Sequence, residues 1–459
     1  MTNPNITIPK QLIDSINKSC EISIDDLNDA HQLSSIVSIR HNPFKKTNSF
    51  IHETKVPWAN DAVYLNERIE FIKDPLFHAG CYYVQEASSM FLEQAIKQHV
   101  DLTKQLKMLD LCASPGGKST LINSLISDES LLISNEVIKS RVPALSENLT
   151  KWGTCNHIVC NNDPSDFKQV PNYFDAIIVD APCSGSGLFR KQSDIIANWS
   201  EQQVEHCSLR QRRILDDILT SLKPGGILIY STCSFSTEEN EDVVNWLIDE
   251  HQLTGLAINA PNEWEICETK KNKGGFGYRF FPHLTKGEGF FISVLKKDNE
   301  EINSSSFSKK KQNKFEKINE YEIKTLNSFL NKKDDLSIIK QNEFYFLINH
   351  FIESELSILN QLNIRKKGTL LGSFKKTDFI PDHEFALSNF LNKEIPTLEL
   401  NLDEALQFLK KSDIKKQPEL PNGFVKINYQ QKTIGWAKNL GNRMNNYLPK
   451  DWRILKSID

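Results

Sequence analysis

From Leu106 onward, short apolar runs rich in β-branched residues alternate with segments long enough to form helices. Strand signals fall at residues 107–111, 131–136, 156–160, 176–180, 226–230 and 290–295, and helix-length segments at 118–126, 139–151 and 201–221 separate most of them. Apolar runs without polar alternation suit strands covered on both faces, and the intervening helices supply the crossovers that parallel strands require. The pattern predicts an α/β domain with helices on both faces of a mostly parallel sheet. Ligands of such sheets bind beyond the carboxyl ends of the strands, so the residues that directly follow these runs are the candidate site.

The first run leads into Asp110-Leu111-Cys112-Ala113-Ser114-Pro115-Gly116-Gly117-Lys118-Ser119-Thr120. Gly-Lys-Ser suggests a phosphate loop, but that motif needs glycine where Cys112 stands, and the dinucleotide pattern Gly-x-Gly-x-x-Gly is also absent. What remains is a tight turn whose glycines let backbone approach a small ligand closely. Glu136 ends the second run about 20 residues later, where a carboxylate can accept hydrogen bonds from ribose hydroxyls. Asp163 follows the third run, where an acid can meet an adenine amine. A single acid in such a loop is commonly just solvated. Three at successive strand ends point to an adenosine-bearing ligand, and without diphosphate machinery S-adenosyl-L-methionine fits best.

Two cysteines occupy the equivalent place after later runs: Cys183 in Asp180-Ala181-Pro182-Cys183-Ser184-Gly185, and Cys233 in Ser231-Thr232-Cys233-Ser234. Carbon 5 of a pyrimidine is a poor nucleophile until something adds to carbon 6. A thiolate can add there, making carbon 5 enamine-like and able to attack a sulfonium methyl group. Such a thiol must ionise, which requires donors or cations nearby. Asp180 or its neighbours can hydrogen-bond the base edge, and a second thiol can assist removal of the carbon-5 proton or release of the product. The residues alone do not rank Cys183 against Cys233. Inert buried cysteine is the ordinary alternative, and it is the reading for Cys20, Cys155, Cys160, Cys207 and Cys267. A transferase acting on an exocyclic amine would show Asn/Asp-Pro-Pro-Tyr where this chain has Asp-Ala-Pro-Cys.

At 459 residues the chain exceeds a single core of usual size. Helices are expected over 9–16 and near 24–27, a short strand over 38–45, and a helix over 81–99 with Tyr83, Ala87, Met90, Phe91 and Ala95 on one face. Ser236-Thr237-Glu238-Glu239 reads as a capping box opening a helix over 240–250. The expected organisation is an N-terminal α+β extension over 1–100, the α/β domain over 101–297, a flexible polar linker over 298–317, an α+β domain over 318–409 and a small β-rich module over 410–459. Strands are expected at 344–348, 423–427 and 433–437, and a helix over 382–391. No apolar run is long enough to span a bilayer, and the nine scattered cysteines suit reduced thiols of a cytoplasmic protein. No Cys-x-x-Cys or His-x-x-x-His occurs, so no metal site is expected. Net charge is −4, yet the last fifty residues hold 11 Lys/Arg against four Asp/Glu, and Lys309, Lys310, Lys311, Lys314 and Lys317 form another basic cluster. Such clusters are either solvated faces or local phosphate-binding surfaces.

The motifs at 110–119 and 180–187, with Ser-Thr-Cys-Ser and Glu239-Asn240-Glu241, resemble those of the Nop/Sun RNA cytosine-5 methyltransferases. Tyr83-Val84-Gln85-Glu86-Ala87-Ser88-Ser89 is similar to the family's N-terminal motif, and Arg279-Phe280-Phe281-Pro282-His283 with 287–291 to its closing strands. Gly372-Ser373-Phe374-Lys375-Lys376, Gly435-Trp436-Ala437-Lys438 and Asn446-Tyr447-Leu448-Pro449 are similar to the C-terminal region of the RsmF-type bacterial 16S rRNA branch, which contains a PUA-like module.

The resemblance implies an α/β fold with a Rossmann-like SAM-dependent methyltransferase core, a mostly parallel seven-stranded sheet, an N-terminal RNA-binding extension and α+β and PUA-like C-terminal domains. Cys112, Ala113, Ser114, Pro115, Gly116, Gly117 and Lys118 would form the S-adenosyl-L-methionine loop, Glu136 would hold the ribose and Asp163 the adenine side. Asp180 would lie beside both methyl donor and target base. Cys233 would be the nucleophile, and Cys183 would assist product release. The implied activity is methylation of carbon 5 of a cytosine in structured RNA, 16S rRNA or the small ribosomal subunit, by a cytoplasmic monomer without membrane contact. A tRNA substrate, or an inactive RNA-binding ribosome-assembly factor, are the alternatives. A paired cytosine hides both faces, so the target must be unstacked or flipped out.

Overall fold

The computed structural model describes residues 7–456 except 193, 271–273, 300–314, 332–334, 416 and 417. Most of the expected linker, with the cluster around Lys310, lies outside the described residues. Near the N-terminus the helices Lys10–Asn17 and Ile24–Gln32 precede a three-stranded antiparallel sheet of β1 (Val37–His41), β2 (Ala62–Leu65) and β3 (Tyr82–Val84), ordered β2-β1-β3. The helix expected over 81–99 is therefore shorter. Tyr82–Val84 pairs with β1, and regular helix runs only over Leu92–His99. Backbone pairing with β1 overrides the helical period at Tyr83, while Met90, Phe91 and Ala95 keep their buried face.

The strands β4 (Lys107–Asp110), β5 (Leu131–Asn135), β6 (His157–Cys160), β7 (Phe174–Asp180) and β8 (Leu222–Thr232) are parallel, in spatial order β8-β7-β4-β5-β6. Adjacent residues of each strand face different apolar clusters. Leu109, Ile133, Ile177 and Leu228 pack with Leu215 and Val243 on one side, and Met108, Leu132, Ile178 and Ile229 pack with Ile122 and Phe91 on the other. Full burial of each such side chain contributes about 1.5–3 kcal/mol, which is why these runs show no polar alternation.

Four further strands follow: β9 (Leu253–Leu256), β10 (Cys267–Lys270), β11 (Phe276–Phe280) and β12 (Phe290–Lys297). β12 lies antiparallel beside β8, then come β11 and β10, while β9 also pairs with β12. Beyond them, β13 (Leu336–Gln341), β14 (Phe344–Asn349), β16 (Thr369–Lys375) and β17 (Asp378–Pro381) form a four-stranded antiparallel sheet. Between these, β15 (Ile364–Lys367) pairs antiparallel with β6, so a segment from the C-terminal half covers the open edge of the central sheet. The fold class is the expected one, but among the described residues the central sheet has ten strands rather than seven, and it is mixed rather than mostly parallel, because β9–β12 and β15 add antiparallel pairs to the five parallel strands.

A last sheet contains β18 (Thr397–Leu400), β19 (Gly423–Tyr429), β20 (Lys432–Asn439) and β21 (Met444–Asn446). Its Val425 and Ile427, with Leu406 and Phe408 of the helix Leu402–Leu409, share one apolar cluster with Ile39, Val63, Leu76 and Tyr82 of the N-terminal region. The two ends of the chain are thereby packed together. The helix expected over 382–391 spans only His383–Ala386, opened by the Asp382 side chain.

Cys20 and Cys267 are joined by a disulfide, which corrects their reading as inert thiols. The two N-terminal helices fold back on the Cys233 loop, where Leu12, Ile16 and Leu27 pack with Phe189, Phe235 and Phe281. This brings Cys20 beside β10. Among the described residues no helix is long and apolar enough to cross a membrane, and no group of three or more His, Cys, Asp or Glu is disposed to hold a metal ion.

Candidate active site

In strand order the sheet runs outward from β4 in both directions, so the loops after β4 and β7 diverge and leave a crevice at the carboxyl edge. One wall of that crevice is the turn after Asp110. Gly116 adopts φ +113°, the left-handed region that favours glycine, and from it the helix Gly117–Leu125 starts. Ser119 Oγ donates to Asp110 Oδ2 at 2.6 Å. Arg141 Nη2 donates to the Ser114 carbonyl at 2.6 Å, and Ser114 Oγ donates back to the Arg141 carbonyl at 3.0 Å.

The fully buried Arg40 of β1 holds the same turn from below. Its Nη2 donates to Thr120 Oγ1 at 2.6 Å and to the Gly117 carbonyl at 3.2 Å, its Nε donates to Gln85 Oε1 at 2.9 Å, and its guanidinium lies over the Trp152 ring. Neither Arg40 nor Gln85 has a local signature of this role in the sequence, because the groups they hold are distant in the chain.

Just past β5, Glu136 is buried, with Oε1 accepting from Ile138 N at 2.8 Å and Oε2 3.4 Å from Arg141 Nη1. After β6, Asp163 accepts from Ser165 and stands 3.6 Å from Arg213. Asp180 ends β7. Its Oδ1 accepts from Ser231 Oγ at 2.8 Å, and its Oδ2 lies 2.7 Å from Lys118 Nζ. Burial opposes the Lys118 charge, but Asp180 outweighs it and holds the ammonium above its ordinary range. Burial pushes Asp110 up to about 7.

The Cys183 and Cys233 sulfurs are 3.1 Å apart. Gly187 N donates to the Cys233 carbonyl at 2.8 Å, and a Cβ on Gly187 would come within 2.7 Å of that carbonyl oxygen and 2.5 Å of the Gly289 one, so glycine is needed for the two cysteine loops to close on each other. The shared hydrogen bond with Cys233 pushes the Cys183 thiol well up, and burial and nearby negative charge reinforce this. The Cys112 thiol is also pushed up, chiefly by burial.

Cys112, Ser114, Glu136, Asp163, Asp180, Cys183 and Cys233 all line one cavity of about 540 Å³. On the other side of the turn, Ala113, Pro115, Gly117 and Lys118 line a cavity of about 200 Å³ with Tyr83, Gln85 and Glu86, and Cys112, Ser114 and Asp180 border both. Gly116 faces neither; it turns toward Leu145 and Asn148. The expected capping box at Ser236 does not form. The Ser236 side chain caps nothing, and Glu239 is instead directed at the cysteine loops, accepting from Ser184 N at 2.7 Å.

A family model described as 16S rRNA methyltransferase RsmB/F matches residues 97–296. Models described as the N-terminal domain of 16S rRNA methyltransferase RsmF and as the methyltransferase RsmF PUA domain match 8–87 and 395–454. A ribosomal RNA small subunit methyltransferase F of Aeromonas salmonicida is 30% identical over 413 residues, covering 86% of this chain and 84% of that protein. One from Vibrio parahaemolyticus is 28% identical over 481 residues, covering 98% of each. Among solved structures, a methyltransferase homologue from Pyrococcus horikoshii superposes with a TM-score of 0.53 at 26% identity, covering 63% of this chain and 95% of that one. NSun6 from the same organism, solved with SFG, gives 0.52 at 18% identity, covering 64% and 99%, and so shares the fold. By these matches the chain belongs to the RsmB/F family of 16S rRNA methyltransferases.

Proposed function

We propose that this protein methylates carbon 5 of a cytosine in 16S rRNA, with S-adenosyl-L-methionine as methyl donor and Cys233 as nucleophile. The observation that carries this reading is the convergence of two thiols and three acids, Glu136, Asp163 and Asp180, on one crevice, with Lys118 paired to Asp180 from the adjoining cavity. The crevice suits the donor. Its 540 Å³ falls within the usual range for small-molecule sites, and buried Glu136 offers its carboxylate to a ribose while Asp163 borders the adenine end. The turn 112–118 would hold the amino-acid portion, and the bound donor supplies an electrophilic methyl group.

The chain's own residues do the rest. The Cys233 sulfur adds to carbon 6 of the base, forming a carbon–sulfur bond and raising electron density at carbon 5. Asp180 and Lys118, paired at 2.7 Å, lie where they can hydrogen-bond the polar edge of the cytosine and stabilise the adduct. After methylation the carbon–sulfur bond breaks as the carbon-5 proton leaves. Cys183, 3.1 Å away, assists that release: its thiol proton passes to the departing Cys233 sulfur, and its own sulfur takes up the carbon-5 proton. The three-stranded N-terminal sheet and the basic surface of the last sheet hold the RNA around an unstacked target. A relative that only binds RNA would not need both thiols and the acids in one crevice.

Bisulfite mapping of ribosomal RNA and tRNA from cells with and without the gene tests this. One 16S cytosine should lose protection when the gene is absent, whereas a change confined to tRNA, or none, would contradict the reading.

A further inference from the structure

The buried carboxylate of Glu239 gathers the two cysteine loops in a way that neither thiol accounts for. Its Oε1 accepts from Ser184 N at 2.7 Å and from Gln211 Nε2 at 3.3 Å, and its Oε2 accepts from Ser184 Oγ and Ser234 Oγ, each at 2.5 Å. Ser184 directly follows Cys183, and Ser234 directly follows Cys233. Gln211 Nε2 also donates to the Pro182 carbonyl, on the other side of Cys183, at 3.0 Å. Glu239 is fully buried, and none of the hydrogen bonds to its carboxylate serves the helix Glu241–His251 that follows. A carboxylate in such a place costs free energy unless its lone pairs are met, and here the donors come from the two thiol-bearing loops and from Gln211, with the Cys207 thiol of the same helix also hydrogen-bonded to it.

We infer that Glu239 is a positioning residue that sets the relationship between the two thiols: by clamping Ser184 and Ser234 to one carboxylate, it fixes the Cys183 and Cys233 sulfurs against each other. The inference rests on the proposed two-thiol chemistry but makes a separate statement about geometry. The Glu239 charge has a second effect in the same direction. Its carboxylate contributes to the rise of the Cys183 thiol, after the Cys233 contact and burial, which helps Cys183 retain the proton its releasing role requires.

The test uses the full chain with Glu239→Gln, Glu239→Asp and the double variant Ser184→Ala/Ser234→Ala. Diamide, which takes up two thiol hydrogens as a disulfide forms, reports the Cys183–Cys233 geometry without RNA, by peptide mapping. Glu239→Gln should slow that cross-link at least tenfold and lower kcat tenfold to hundredfold, with KM for RNA and for the methyl donor within about twofold of wild type. Glu239→Asp should recover part of both losses. Wild-type cross-linking and kcat in Glu239→Gln would overturn the assignment. Should Glu239→Gln fail to fold, the double serine variant decides by the same two readouts. If wild-type protein methylates no RNA while the cross-linking effect stands, it is the proposed function that fails and not the positioning.

Discussion

Cys183 and Cys233 lie 50 residues apart in sequence, yet their sulfurs approach to 3.1 Å. Parallel pairing of β7 with β8, in register from Ala176 with Ile227 to Asp180 with Ser231, delivers both loops to one edge. The shared hydrogen bond, with burial behind it, pushes the Cys183 thiol well above its ordinary range. Either sulfur can be the donor in the contact, so the division of labour rests on the family resemblance and not on this geometry.

Arg40 is expected to be essential to the shape of the turn at 112–118. Replacing it by Met strands buried acceptors on Gln85, Gly117 and Thr120. Each hydrogen bond to a charged group is worth about 1.5–3 kcal/mol, so Arg40→Met should lower stability by roughly 2–4 kcal/mol after partial relaxation. Denaturant titration measures the loss. Calorimetry should show weaker binding of S-adenosyl-L-methionine, and unchanged affinity would separate Arg40 from the cofactor loop.

Asp110 makes stability depend on pH in an unusual direction. Burial raises it from an ordinary 3.8 to about 7, so between about pH 4 and pH 7 the folded state binds more protons than the unfolded chain. Stability should therefore fall as pH rises through that window, by at most about 1.4 kcal/mol for each pH unit crossed. Asp110→Asn removes this dependence and keeps an acceptor for Ser119. Relative to wild type the variant should gain stability from pH 4 to pH 8, and parallel stability curves would refute the assignment.

The exposed Arg443, in the turn before β21, and Lys450 and Arg453, in the turn after it, test the RNA-holding surface. Deleting this region outright would tear a sheet and bare Leu406 and Phe408, which pack against the N-terminal strands. Replacing the three charges by alanine leaves the core intact. If all three meet phosphates, the slope of log affinity for 16S rRNA against log salt should fall by roughly 2–3. An unchanged slope would make this face merely solvated.

Legibility in the sequence tracked the range of the interaction. β4, β5, β7 and β12 are readable because each is an apolar run whose burial on both faces is written in consecutive residues, such as Leu131, Leu132 and Ile133. Cys183, Cys233 and Asp180 are readable as strand-end residues. The roles of Arg40 and Glu239 are not, since each is defined by partners distant in sequence or by a competing local pattern. Glu239 fits a capping box, but its bonds to Ser184 and Ser234 draw it away from the helix. The pairing of Cys20 with Cys267, 247 residues apart, and the addition of β15 to the edge at β6 are likewise tertiary events without a local signature.

The central claim is that Cys233 bonds to the base and Cys183 frees it. The most direct measurement incubates Cys183→Ala and the double variant Cys183→Ala/Cys233→Ala with small-subunit RNA and S-adenosyl-L-methionine, then resolves the mixtures on a denaturing gel. Cys183→Ala should accumulate a covalent protein–RNA band that the double variant lacks. A band that persists without Cys233, or no band in Cys183→Ala despite normal 5-methylcytosine formation, would contradict the account.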